Sequence, residues 1–224
     1  MPGFILHLTA AQILLRQLPH HPDFPYEISL VNDFLIGNLL PDTTKQKDAS
    51  HFRNPAYYEK MMVFPDLTRF LQKYSSLLAN PSVLGYYFHL YIDRKFFKDF
   101  IPQVVEFYDK NGQITDIRDE VATVYIQKSQ TSIPFSKYLT EEYYYGDYTR
   151  MNTYLVNQYK IPLDLNPEVV NPGISERGRR YPYKRGLTVR GQALFSCHQT
   201  NKKEELRMAD EKAKIVTDAT GPGL

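Results

Sequence analysis

The sequence predicts an all-α fold, a multi-helix bundle followed by an irregular basic C-terminal segment. Three observations carry this expectation. Apolar residues recur at helical spacing through much of residues 1–160, no stretch sustains a period-two alternation, and prolines punctuate the periodic segments. Residues 1–160 therefore read as one helical domain and residues 161–224 as a C-terminal extension of it.

The elements follow in order. From Phe4 to Leu18, the residues His7, Ala11, Leu14 and Leu18 fall on one helix face. PHHPDFP then places three prolines within seven residues, which demands a loop. Tyr26 to Leu40 is again helical in pattern and is stopped by Pro41, whose ring disfavours helical geometry at Leu40. The polar loop DTTKQKDASHFRNP leads to two more periodic segments, Ala56 to Val63 and Asp66 to Leu78. Asn80-Pro81 is a helix start, with Asn as cap and Pro at the first helical position, and the helix it opens runs to about Ile101, where Pro102 breaks or kinks it. Ile114 to Gln130 and Tyr148 to Lys160 are further helix candidates, and DKNG at Asp109 to Gly112 reads as a turn between helices. Beyond Lys160 come a proline-rich stretch, a basic one and a charged helix candidate from Asn201.

Composition narrows the function classes. With 27 basic and 25 acidic residues, the net charge of +2 makes no global case for nucleic acid or an anionic membrane. The single cysteine, Cys197, excludes an internal disulfide and an all-thiolate zinc site, and suits a reducing cytoplasm. MPGFILHLTAAQILLRQL has no basic residue before its apolar run and a histidine within it, so neither a signal peptide nor a transmembrane span is expected.

Five residues carry the chemistry: His7, Asp42, His51, His89 and Asp93. His89 and Asp93 stand four apart within GYYFHLYIDRKFF, a stretch whose aromatic content suits burial. On a helix both project from one face, and burying an unpaired carboxylate costs several kcal/mol. A divalent cation takes imidazole nitrogen and carboxylate oxygen, needs about three or four protein ligands, and would supply the missing counter-charge. Singly, each residue has an ordinary explanation: a core histidine for His7, a turn residue for Asp42, a loop histidine for His51, a mutual pair for His89 and Asp93.

MPGFILH, GNLLPD, SHF and GYYFHLYID, in that order, resemble the zinc-dependent phospholipase C family, which is related to the fungal single-strand nucleases and has many bacterial members. The resemblance covers about the first 100 residues. It implies a phospholipase C-type helical bundle in which His7, Asp42, His51, His89 and Asp93 are metal ligands, zinc is the ion, and Asp93 bridges if two ions bind. Asp99 stands where three-metal members carry a further histidine, so one or two ions are expected.

The function that follows is a metal-dependent hydrolase acting on a phosphoester, either a phospholipid or a smaller phosphodiester, through a metal-activated water, with Asp42 as the candidate general base. No specific nucleic-acid binding is expected. The alternative is a non-catalytic helical protein that retains part of the site as a structural or interaction element. No histidine directly precedes an aspartate, which argues against the helical hydrolases built on an adjacent His-Asp dyad. His20-His21, the YYYGDY run, Cys197-His198 and the six Arg/Lys between Arg177 and Arg190 read more simply as loop, packing and surface features.

Overall fold

A computed structural model describes residues 3–18 and 28–161. The expected boundary at residue 160 falls at the edge of that range. His20-His21, the C-terminal extension beyond Ile161, the basic stretch and Cys197-His198 lie outside the described residues. Helix α1 spans Phe4–Gln17 and α2 spans Ile28–Leu39, which a 3-10 turn at Leu40–Thr43 continues. The short α3, Lys47–Ser50, and a 3-10 turn at Pro55–Tyr57 lead to α4, Leu67–Tyr74. The central α5, Pro81–Lys95, runs through a π-helical turn, Phe96–Phe100, into α6, Ile101–Val104.

Helix α5 begins as its sequence requires. The Asn80 side chain accepts hydrogen bonds from Ser82 N (2.9 Å) and Val83 N (3.4 Å), and Pro81 sits where no amide proton is needed. Helices α2 and α5 cross with their backbones touching at two glycines. A Cβ on Gly37 would lie 2.0 Å from Ser82 O, and one on Gly85 would lie 2.0 Å from Phe34 O. That approach brings His89, one turn after Gly85, against the C-terminal end of α2.

The all-α expectation is overturned beyond α6. Strands β1 (Val105–Tyr108), β2 (Thr123–Ile126) and β3 (Thr131–Pro134) form an antiparallel sheet in the order β1-β2-β3, so the fold is mixed. Val105 pairs with Ile126 across β1 and β2, and Val124 pairs with Ile133 across β2 and β3. The helix expected over Ile114 to Gln130 is therefore largely β2, its approach and the turn into β3. Ile114, Ile117, Val121 and Val124 are spaced like a helix face, but TVYI is β-branched and aromatic and pairs on both sides. Each strand is only four residues long, too short to show sustained alternation in the sequence.

Asp109 to Gly112 is likewise not a turn between helices. It closes β1 onto a bridge between Tyr108 and Ile114, with Asp109 Oδ1 accepting from Asn111 N and Gln113 N, both at 2.8 Å. Gly112 takes φ +78°, a conformation that favours glycine. Two further expectations change. Ala56 to Val63 is irregular after its 3-10 turn, because Lys60 bridges to Ile117 and Met61 N donates to Asp116 O. At Pro102 the helix is not ended: the regular α-helical ladder gives way to the π-helical turn just before it, and Pro102 occupies the first turn of α6.

Helix α7, Phe135–Tyr138, and helix α8, Tyr144–Tyr159, complete the described chain, with α8 starting four residues earlier than its expected Tyr148. Two cores result. Leu8, Ala11 and Leu15 of α1 meet Phe34, Leu35 and Leu39 of α2. Val105, Phe107, Val124 and Ile133 of the sheet meet Ile101 and Tyr138. Among the described residues no helix is long and apolar enough to cross a membrane.

Candidate metal centre

The five sequence-selected residues come together. Every histidine among the described residues belongs to this one cluster. His7 arrives from the end of the first turn of α1, Asp42 from the 3-10 turn after α2, His51 from the end of α3, and His89 and Asp93 from successive turns of α5. His7, His51, His89 and Asp93 are all 0% exposed, which excludes the reading of His51 as a solvated loop residue. Asp42 keeps a sliver of its side chain in solvent.

Backbone carbonyls set the orientation of two rings. His89 Nδ1 lies 2.7 Å from Asn38 O, and His51 Nδ1 lies 2.8 Å from Lys47 O. A carbonyl can only accept, so each Nδ1 carries the proton and donates it. In His89, which burial keeps neutral, Nε2 is then a lone pair aimed into the cluster, and His51 Nε2 lies 3.2 Å from it. Either a proton on His51 Nε2 or a shared cation accounts for that approach.

The remaining separations fit a cation. His7 Nε2 is 3.3 Å from Asp93 Oδ1, His51 Nε2 is 3.4 Å from Asp42 Oδ1 and 3.5 Å from Asp93 Oδ2, and His89 Nε2 is 3.8 Å from Asp93 Oδ2. Tetrahedral ligands bonded at about 2.0–2.1 Å lie about 3.3–3.4 Å from one another. Among the described residues, both ring nitrogens of His7 and both oxygens of Asp93 are buried without a well-aligned hydrogen bond, their one close approach being His7 Nε2 to Asp93 Oδ1 at 3.3 Å. Orphaned donor atoms at ligand-to-ligand spacing are what a cation-binding cage leaves when only its protein atoms are counted. His7, His89 and Asp93 form one group that could hold a metal ion, and Asp42, His51 and His89 form a second.

The electrostatics agree with this fit. Burial, and next the neighbouring His7 imidazole, hold His89 down to about 3, so it is a neutral ligand across the ordinary pH range. Burial raises the Asp93 carboxyl, but the imidazoles of His7, His89 and His51 around it outweigh that and leave it below the usual carboxylate range. Burial also raises Asp42; His51, His89 and the Lys47 ammonium reverse it and hold Asp42 well below that range. Both carboxylates are therefore charged, as metal binding requires.

Sequence reading missed Lys47 and Ser50. Lys47 Nζ donates to Asp42 Oδ1 at 2.8 Å and to Asp42 O at 2.6 Å, while the same residue's carbonyl orients His51. Ser50 Oγ bonds Pro41 O at 2.8 Å and ties the two loop ligands together. Their only sequence signal is position, five residues after Asp42 and one before His51. Asp99 is outside the cluster, paired with Lys95 at 2.7 Å on the surface. Tyr144 and Tyr148 pack on each other at 5.0 Å between ring centroids, Tyr144 also against Tyr138 and Tyr148 against Phe96. A cavity of about 330 Å³ lies between α1 and the α5–α6 segment, and none of the five ligand candidates lines it.

No family model matches this chain, and neither curated proteins nor solved structures provide a match to it.

Proposed function

We propose that this chain is a metal-dependent hydrolase of phosphoesters, with zinc held by His7, Asp42, His51, His89 and Asp93 as one or two ions, working in the cytoplasm. The observation that carries the reading is the pair of buried Nε2 atoms of His51 and His89, 3.2 Å apart, beside the buried Asp93 carboxylate whose oxygens lie 3.3–3.8 Å from three imidazole nitrogens. A bound zinc ion supplies Lewis acidity, which acidifies water and polarises a phosphoryl oxygen. The chain's own residues do the rest. Asn38 and Lys47 carbonyls hold two imidazoles in the ligating tautomer, and the apolar surround keeps bulk water from the donors. Asp42, at the edge that reaches solvent, orients the attacking water; its low pKa suits it to holding that water more than to keeping its proton.

Burial favours a second reading, in which the ion is structural and the protein non-catalytic. Four of the five ligand candidates have no exposure, and the 330 Å³ cavity is lined by other residues. One experiment separates the two. Protein loaded with zinc is assayed on a chromogenic phosphodiester, with metal content measured beside His89→Ala and Asp93→Ala. Stoichiometric metal in the parent, background metal in the variants and chelator-sensitive turnover support the hydrolase. Metal that survives chelator, with no turnover, supports the structural role. Negligible metal in all three proteins would sink both.

A further inference from the structure

We propose that the Lys47 ammonium is an anion-binding group at the open edge of the metal centre, taking a phosphoryl oxygen of the substrate; this rests on the metal-dependent reading above. Three observations carry it. Among Lys47 and the five ligand candidates, only two side chains depart appreciably from full burial, Lys47 at 35% and Asp42 at 7%, so ligand entry runs past this pair. Lys47 Nζ is 2.8 Å from Asp42 Oδ1, which is itself 3.4 Å from His51 Nε2, so the ammonium lies within about 6 Å of a ligating nitrogen. One phosphoryl group spans that gap, with one oxygen toward the ion and another toward lysine. An ammonium has three donors; Asp42 O and Oδ1 engage two, and the third has no partner among the described residues.

Charge gives the same direction. Lys47 sets a positive charge against Asp42 at the open edge, and a divalent ion bound beside it would add to that charge, which a phosphoryl anion would neutralise. With an ion bound, the Asp42 carboxylate would be shared with it and would hold Lys47 less strongly, leaving a second donor for the incoming anion. On this proposal the anion site would exist in full only in the metal-loaded protein.

The test compares the parent chain with Lys47→Met, which keeps most of the aliphatic stem, and Lys47→Arg, which keeps the charge. Calorimetric titration with inorganic phosphate and with dimethyl phosphate is run on zinc-loaded and on metal-free protein, with zinc content and thermal unfolding recorded for each. In the loaded protein Lys47→Met should weaken the better-bound probe about 10- to 100-fold, with Lys47→Arg recovering part of the loss. Tighter parent binding of dimethyl phosphate identifies an esterified ligand, and tighter binding of phosphate a free one. Equal affinity of parent and Lys47→Met would overturn the assignment, as would an equal loss in metal-free protein or a parent that binds neither probe. Retained zinc and chelator-sensitive turnover beside an unchanged affinity would remove the role of Lys47 alone. A parent that holds no zinc would remove the hydrolase reading with it.

Discussion

His89 has its proton on Nδ1 because Asn38 O, 2.7 Å away, can do nothing but accept, and that one bond decides what the other nitrogen offers the cluster. The same burial that makes it a ligand makes it a liability in the metal-free protein. Folded, its pKa is about 3; unfolded, it returns to about 6.5. Between those values the unfolded chain binds a proton that the folded chain does not, so stability falls as pH is lowered from about 6.5 toward about 3. The slope is at most about 1.4 kcal/mol per pH unit from this residue. Asp42 and Asp93, whose folded values are lowered, add to the loss only below about pH 4, where their unfolded carboxyls begin to protonate. Denaturant unfolding of metal-free protein at pH 7, 6 and 5 checks this; a level profile would contradict the neutral, buried His89.

The helices matter here as placement devices. Gly37 and Gly85 let α2 and α5 touch backbone to backbone, and the bond from His89 to Asn38 exists only at that distance. Gly85→Ala puts a methyl group against Phe34 O and should cost about 1–3 kcal/mol while also lowering metal affinity, because the two helices must separate. Asn80→Ala is the control: loss of the α5 cap should cost about 1 kcal/mol and leave metal affinity unchanged. Equal effects of both variants on metal content would mean that the crossing does not position the site. GYYFHLYID was legible as a buried helix with a ligand face because a 15-residue element carries its own periodicity. VEFY, TVYI and TSIP were not legible as strands. Four residues hold two alternations at most, and the partners that make them a sheet lie elsewhere in the chain.

Across the whole molecule, three segments between His7 and Asp93 (α1, the stretch from Asp42 to His51, and α5) close on two ligand groups that share His89, so bound metal would tie α1 or the Asp42–His51 stretch to α5. A ligand that binds only the folded form stabilises it by mass action, about 4 kcal/mol when present at a thousandfold its dissociation constant. Thermal unfolding should therefore shift upward on adding zinc and return on adding chelator. The shift should be absent in Asp93→Ala, whose oxygens face all three imidazoles. An identical melting temperature with and without zinc would show that the cluster is held by protons rather than by an ion.

From the sequence alone came the five ligand candidates and the helices that carry most of them, since side-chain type and spacing of three or four residues are local properties. Only the tertiary structure decided that His51 is buried, that Lys47 bridges Asp42 to the backbone orienting His51, and that residues 105–134 form a sheet. Those facts depend on contacts between segments distant along the chain. In the approach of two buried Nε2 atoms, 38 residues apart in sequence and 3.2 Å apart in space, such contacts turn a list of residues into a candidate ion site.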